Sequence, residues 1–427
     1  MNITRDFCSN LIVRPILLSI VVLFISISQA ECGPQPTPTP EASPSPGILD
    51  QMHSFTEDRG VTISAEYTGE GMADLVGGIK TGATYEGLLR LGLMLDLEKL
   101  VCWKGATFYA SALYPHGEGI SNDFSGDFNI ASNITAYNSF RLNELWIDQK
   151  FLPDKTLSIR IGQLASDVEF LLSATSALFV NAAFGTMPTI SFNNSLPIYP
   201  VGGLGIRVAY TPANGWFARA GVFDGDPGDQ STDNKHGVAF HLNLSAGMIV
   251  LAEAGYAINS SADSKGLTGY YKIGAWYDSY PEETPLIRSQ HNSDAGFCAI
   301  VDQMIYRKSD IAPGSLTAFF RISAAPDQDI NLVPFYVDGG FNLDGPFPCR
   351  DKDIFGMALG YTLLSDHFTP VNTPIPSGHE TVFETSYKIQ INDHLFLQPD
   401  IQYILNPGGF PHLDNALVAV VRFDFTY

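Results

Sequence analysis

The sequence predicts an all-β transmembrane barrel of antiparallel strands, and three observations carry that expectation. The C-terminal run 416–427 places Leu417, Ala419, Val421, Phe423, Phe425 and Tyr427 on one face, with Arg422, Asp424 and Thr426 on the other. A greasy face backed by a charged one suits a strand between lipid and water. The same period of two recurs in segments about ten residues long, the length a tilted strand needs to cross a bilayer. Charged residues make up only 16% and aromatics 12% of the chain, which fits alternation better than long apolar spans. Backbone amides in hydrocarbon need protein partners, so such strands must close on themselves.

Taken from the N-terminus, residues 1–30 read as a signal peptide. Arg5 and Arg14 flank a polar start, Pro15 to Ser28 form a short apolar stretch, and Ser28-Gln29-Ala30 offers small residues for cleavage. Their removal takes away two positive charges and one negative, leaving the remainder one unit more acidic than the formal −21 of the whole chain. Residues 31–57 are rich in proline, threonine and serine, a composition that favours extended polyproline conformations and cannot pack a core. They read as a semi-rigid periplasmic spacer ahead of a barrel domain at 58–427.

Within that domain, Tyr85, Leu89, Leu91, Leu93, Leu95 and Leu97 alternate with Glu86, Arg90, Gly92 and Asp96. Leu204, Ile206, Val208 and Tyr210 alternate with Gly205, Arg207 and Ala209. Thr381, Phe383, Thr385, Tyr387, Ile389 and Ile391 face away from Glu380, Glu384, Ser386, Lys388, Gln390 and Asn392. Leu395, Leu397, Ile401 and Tyr403 oppose Gln398, Asp400 and Gln402. A coarse count gives sixteen or seventeen such segments, and the even-number tendency of single-chain barrels favours sixteen. Asp167 to Gly185 breaks the pattern. It is mostly small and apolar, lacks alternation and ends before Pro188, so it reads as a loop with a short helix folded inward to constrict a pore.

By alternation, Glu86, Arg90, Glu144, Arg160, Arg207, Arg219, Glu253, Lys272, Arg321, Glu384 and Asp400 should point into the lumen, with Asp167 and Glu169 added at the base of the constricting loop. Both signs of charge around a wet lumen suit a neutral, hydroxyl-rich solute, because charge-assisted hydrogen bonds can replace its lost water. The alternative is that most of these charges pair with one another and pin an inward loop.

Several function classes are disfavoured. Strong acidity argues against nucleic acid as a partner. The nine histidines are scattered and no serine sits in a Gly-x-Ser-x-Gly elbow, so no enzyme is expected. The acidic runs Asp224 to Asp233 and Asp278 to Glu283 read as solvated loops. Asp224-Gly-Asp-Pro-Gly-Asp229 lacks the spacing and closing glutamate of a calcium loop, so neither metal nor cofactor is expected. With Cys8 lost in the signal, Cys32, Cys102, Cys298 and Cys349 allow three full pairings, among them one with a Cys298–Cys349 bridge.

Four stretches carry a resemblance: Arg141-Leu-Asn-Glu-Leu-Trp146; Ile161-Gly-Gln163 leading to Asp167 and Glu169-Phe170; Gly269-Tyr-Tyr-Lys-Ile-Gly274; and Leu397-Gln-Pro-Asp-Ile-Gln-Tyr403 with Pro407-Gly-Gly409. With Asp96-Leu-Glu-Lys-Leu100, Trp103-Lys-Gly105 and Asp302-Gln303, the set resembles the OprB-type carbohydrate-selective porins of Gram-negative outer membranes, from about Asp58 to Tyr427. The resemblance implies a sixteen-stranded outer-membrane barrel, narrowed by loops in its lumen, through which mono- or oligosaccharides diffuse. It also implies contact with outer-membrane lipid and recognition by barrel-insertion machinery through the C-terminal Tyr427. The Pro-rich spacer departs from the family pattern. The competing readings are a general or cation-favouring porin and a structural or adhesive barrel that passes no solute.

Overall fold

The computed structural model describes residues 56–228, 234–240, 242–243, 247–261, 264–279, 293–308, 314–366 and 378–427. The expected signal, nearly all of the spacer, Cys8, Cys32 and parts of both acidic loops lie outside the described residues.

Among the described residues there are sixteen strands. The first eight are β1 (Val61–Gly78), β2 (Gly82–Asp96), β3 (Ala106–Gly117), β4 (Arg141–Phe151), β5 (Leu157–Leu164), β6 (Gly203–Tyr210), β7 (Trp216–Asp224) and β8 (Met248–Ile258). The second eight are β9 (Gly269–Asp278), β10 (Asp294–Arg307), β11 (Ser315–Ala324), β12 (Phe335–Asp344), β13 (Ile354–Leu364), β14 (Gly378–Asn392), β15 (Leu395–Leu405) and β16 (Asp414–Thr426). Each pairs antiparallel with its sequence neighbours, and β1 pairs with β16 to close the sheet. The seam runs from Glu66↔Thr426 to Gly78↔Asp414, and Ala65 and Tyr427 exchange backbone hydrogen bonds of 2.9 and 2.8 Å below it. Closure removes every edge that would leave amides unpaired in lipid.

Turns at the end bearing both strand termini are compact. Between β2 and β3, Asp96 caps the one-turn helix Leu97–Val101 by accepting from the amides of Glu98 (3.0 Å) and Lys99 (3.2 Å). Cys102 ends it in the left-handed region, with Trp103 N–H returned to the Leu97 carbonyl. The Asp-Leu-Glu-Lys-Leu run is therefore a turn device.

The outer wall is an apolar belt, represented by the exposed Ile161, Ile273, Phe297, Phe320 and Val421. In β9, Ile273 is 68% exposed halfway along the strand. Ile273→Lys is expected to destabilise the barrel by about 2–4 kcal/mol, the cost of a cation facing mid-bilayer hydrocarbon. Urea unfolding in liposomes measures it, and a loss near zero would mean this wall does not face lipid.

The inner face has two characters. In β16, Arg422 and Asp424 point inward as expected, but so do Ala416, Val418 and Val420, all nearly fully buried. Two long loops fold into the lumen half farther from the termini. One is 165–202 between β5 and β6, which includes the segment expected to fold inward and carries turns at Ser166–Val168, Ser176–Leu178 and Ala182–Phe184 and a helix at Pro188–Ser191. The other is 118–140 between β3 and β4, which has no counterpart in the residue-by-residue reading. Gly202 lets the first loop rejoin the wall, since a Cβ there would sit 1.9 Å from the Asn143 carbonyl oxygen.

The Cys298–Cys349 pairing is ruled out. Cys298 is a free thiol buried on the inner side of β10 beside Gly274, whereas Cys349 is disulfide-bonded.

Candidate functional site

A loop buried at membrane depth must satisfy its backbone within the protein, and the wall charges do this by sign. Wall carboxylates accept from loop amides. Glu253 takes Leu171 N–H at 2.7 Å, Asp302 takes Thr175 N–H at 3.1 Å, and Glu384 takes Asn181 N–H at 3.1 Å together with Val180 N–H. Glu380 accepts from Phe128 (2.7 Å), Asn129 (2.9 Å) and, in the β15–β16 loop, Gly408 (2.7 Å). Wall cations donate to loop carbonyls. Arg321 reaches Gly185 O at 2.6 Å and Ala183 O at 3.0 Å, Lys272 reaches Leu172 O, and Arg219 reaches Glu169 O.

Two further features lock the longer loop. Arg207 bridges Asp148 and Glu169 at 2.9 Å each, while Arg160 pairs with the same two carboxylates at 3.2 and 3.3 Å and lies 3.8 Å over the Trp146 ring. Phe179, Val180 and Phe184 then pack against Phe319, Val382 and Ile404 of the wall. Burying such side chains contributes about 1.5–3 kcal/mol each, so the loop is a fixed constriction held by packing as well as by hydrogen bonds.

What stays open is a path of two cavities. The upper one, about 270 Å³, lies between the two loops beside Asn129, Thr135, Ser191 and Phe192. The lower one, about 660 Å³, opens toward the termini and is bordered by Glu66, Arg90, Glu144, Phe396, Arg422 and Asp424. Asn133, Asp167 and Tyr199 border both cavities, which adjoin at these residues. Asp167 accepts from Tyr199 N–H at 2.8 Å through Oδ2, and its Oδ1 has no partner. Burial raises its carboxyl to about 6.

Of the thirteen residues singled out from the sequence, Arg90, Glu144 and Asp167 border the open path. Arg90 pairs with Glu66 at 2.7 Å, and Glu144 accepts from Trp146 Nε1 at 3.0 Å. The other ten are placed against protein. Glu86 accepts from Thr135 Oγ1 at 2.8 Å and so ties down the 118–140 loop. Arg160, Glu169 and Arg207 belong to the four-charge cluster with Asp148, while Arg219, Glu253, Lys272, Arg321 and Glu384 anchor the 165–202 loop. Asp400 is buried behind it, accepting from Gln402 at 3.2 Å. Alternation placed all eleven wall charges inward but could not show what covers them. Asn133 and Tyr199 were missed because loop residues carry no period. Arg422 and Asp424 were legible on the inner face of β16 and belong among the lining residues.

A closed barrel with an apolar belt outside and a loop-narrowed aqueous path inside is the architecture of an outer-membrane porin. Residues 80–427 match the family described as "Carbohydrate-selective porin, OprB family", and the chain belongs to it. Porin B of Pseudomonas aeruginosa is 26% identical over 406 residues, covering 86% of this chain and 87% of that protein. A high-pH structure of Pseudomonas putida OprB has the same fold, with a TM-score of 0.80 at 23% identity, covering 89% of this chain and 97% of that one. A low-pH structure of the same protein matches at a TM-score of 0.59 and 19% identity, covering 90% and 98%.

Proposed function

We propose that this protein is an outer-membrane channel for passive, carbohydrate-selective diffusion of mono- or oligosaccharides, driven by the concentration gradient alone. The family supports a channel rather than an enzyme. The observation that carries the reading is the pair of cavities left inside a loop-narrowed barrel, the lower one bordered by side chains of both charge signs, Glu66, Arg90, Glu144, Arg422 and Asp424. Such groups can replace the water a sugar loses on entry. Phe192 above and Phe396 below give the apolar faces of a pyranose rings to stack on. The exposed belt would meet outer-membrane lipid, residues 1–30 would direct export, the 31–57 spacer would lie in the periplasm, and Tyr427 would be read by the insertion machinery.

Single-channel recording of the purified protein in a planar bilayer tests this, with glucose, a disaccharide and an amino acid added in turn. Saturable block by the sugars alone is expected. A conducting channel indifferent to sugar would make it a general porin, and no conductance would make it a structural barrel.

A further inference from the structure

The chain holds cysteines at 8, 32, 102, 298 and 349. Cys102 and Cys298 are free thiols, whereas Cys349 is disulfide-bonded. Its partner within the chain is therefore Cys8 or Cys32, both outside the described residues. Cys8 belongs to residues 1–30, read as the signal peptide, and Cys32 stands at the head of the Pro-rich segment 31–57.

We propose that Cys32 and Cys349 form a disulfide that ties the Pro-rich segment to the turn between β12 and β13, making residues 33–55 a strap anchored at both ends on the rim of the barrel. Cys349 is exposed in that turn, at the same end of the barrel as the start of β1. The turn is fixed: Arg350 pairs with Asp353 at 2.7 Å, and Asp353 also accepts from the Tyr387 hydroxyl at 2.6 Å and from Gln390 N–H at 3.0 Å. A thiol held in place on the rim needs a partner on a segment long enough to come to it.

From β1 to this turn the sheet runs through β16, β15, β14 and β13. Strands about 4.8 Å apart and tilted by about 40° put the two points roughly 25 Å apart across the rim. Thr56, the first described residue, lies 24 residues beyond Cys32. An unrestrained chain of that length averages about 25–30 Å from end to end, and polyproline reaches about 70 Å. The span is met without stretching, the condition that gives a tethered partner its highest effective concentration. Cys102 is held on the β2–β3 turn, roughly 30 Å away by the same spacing, whereas a disulfide needs Cα atoms within about 7 Å. The strap crosses the stretch of rim formed by β13 to β16, whose Phe396, Arg422 and Asp424 border the lower cavity.

With the spacer read as periplasmic, both thiols meet an oxidising compartment. Pairing joins the two sulfurs, and the two thiol protons and two electrons pass to the disulfide of a thiol–disulfide exchange protein, which leaves as a dithiol.

Non-reducing tryptic mapping of the protein isolated from outer membranes, denatured and alkylated before digestion, tests the bridge. The four remaining cysteines fall in four peptides: Cys32 in the one ending at Arg59, Cys102 in 100–104, Cys298 in 289–307 and Cys349 in 322–350. Peptides 31–59 and 322–350 should run as one species that dithiothreitol separates, with 100–104 and 289–307 alkylated without reduction. Cys32→Ser, a change outside the barrel, should abolish that species and leave 322–350 alkylated, while the folded form on a gel persists. Peptide 322–350 alkylated in wild type, or linked to 100–104, to 289–307, to itself or to a retained Cys8, overturns the proposal, as does a bridge on Cys349 that survives Cys32→Ser.

Discussion

Arg321→Met should enlarge the single-channel current and weaken block by sugars. Arg321 is completely buried, its Nε lies 3.0 Å from both oxygens of Asp338, and its two terminal nitrogens hold the carbonyls of Ala183 and Gly185. Tyr336 completes the set, donating toward Asp338 at 2.8 Å and Ala183 O at 2.9 Å. Methionine fills much of the space but leaves Asp338 as a buried uncompensated charge, a change that costs about 3–5 kcal/mol when one partner of a buried pair is lost. The strand ladder does not depend on this pair, so the strain falls on the loop, whose 183–185 segment must lift to let water reach Asp338. The expected result is a folded barrel with a lower unfolding temperature and a wider lumen. Arg321→Met with Asp338→Leu removes both charges and should recover much of the stability, yet Gly185 O still lacks its donor, so the current should stay raised. Unchanged current in both variants would show that apolar packing alone holds the constriction.

The legible and illegible parts of this chain divide along a physical line. Strand faces were readable because each side chain reports its own environment every second residue, as in β2 and β14. The function of the inward charges was not, because their partners lie far off in the chain. Glu384 serves the amide of Val180, 204 residues away, and Arg321 serves Gly185 at 136. Period two says that a residue faces the lumen, and cannot say whether water or a folded loop meets it there. The apolar inner half of β16 was the available hint: Ala416, Val418 and Val420 leave that face greasy on a strand whose other half is charged. An inner face that is apolar in the middle of a polar barrel marks where a loop docks. The constricting segment itself was visible through its missing alternation, whereas 118–140 is polar enough to pass for a surface loop.

Val420→Pro should block assembly of the barrel, while Val420→Ala should not. Val420 sits midway along β16, opposite Met72 of β1 on one side and Asp400 of β15 on the other. Proline removes the backbone N–H at a point where no water replaces it, leaving a neighbouring carbonyl unpaired at roughly 2–7 kcal/mol. Alanine keeps the ladder and removes only two methyl groups from the buried apolar cluster to which Met72 and Phe179 also belong, a loss of the order of 1–3 kcal/mol. Gel mobility before and after heating, which separates folded from unfolded barrels, and protease resistance in the membrane distinguish the two. The alanine variant should run as a folded barrel of reduced stability and the proline variant as unfolded chain. A proline variant that folds, resists protease and conducts would mean that the β1–β16 seam tolerates a gap at mid-membrane, and that lipid contact and the other ladders suffice to hold the wall closed.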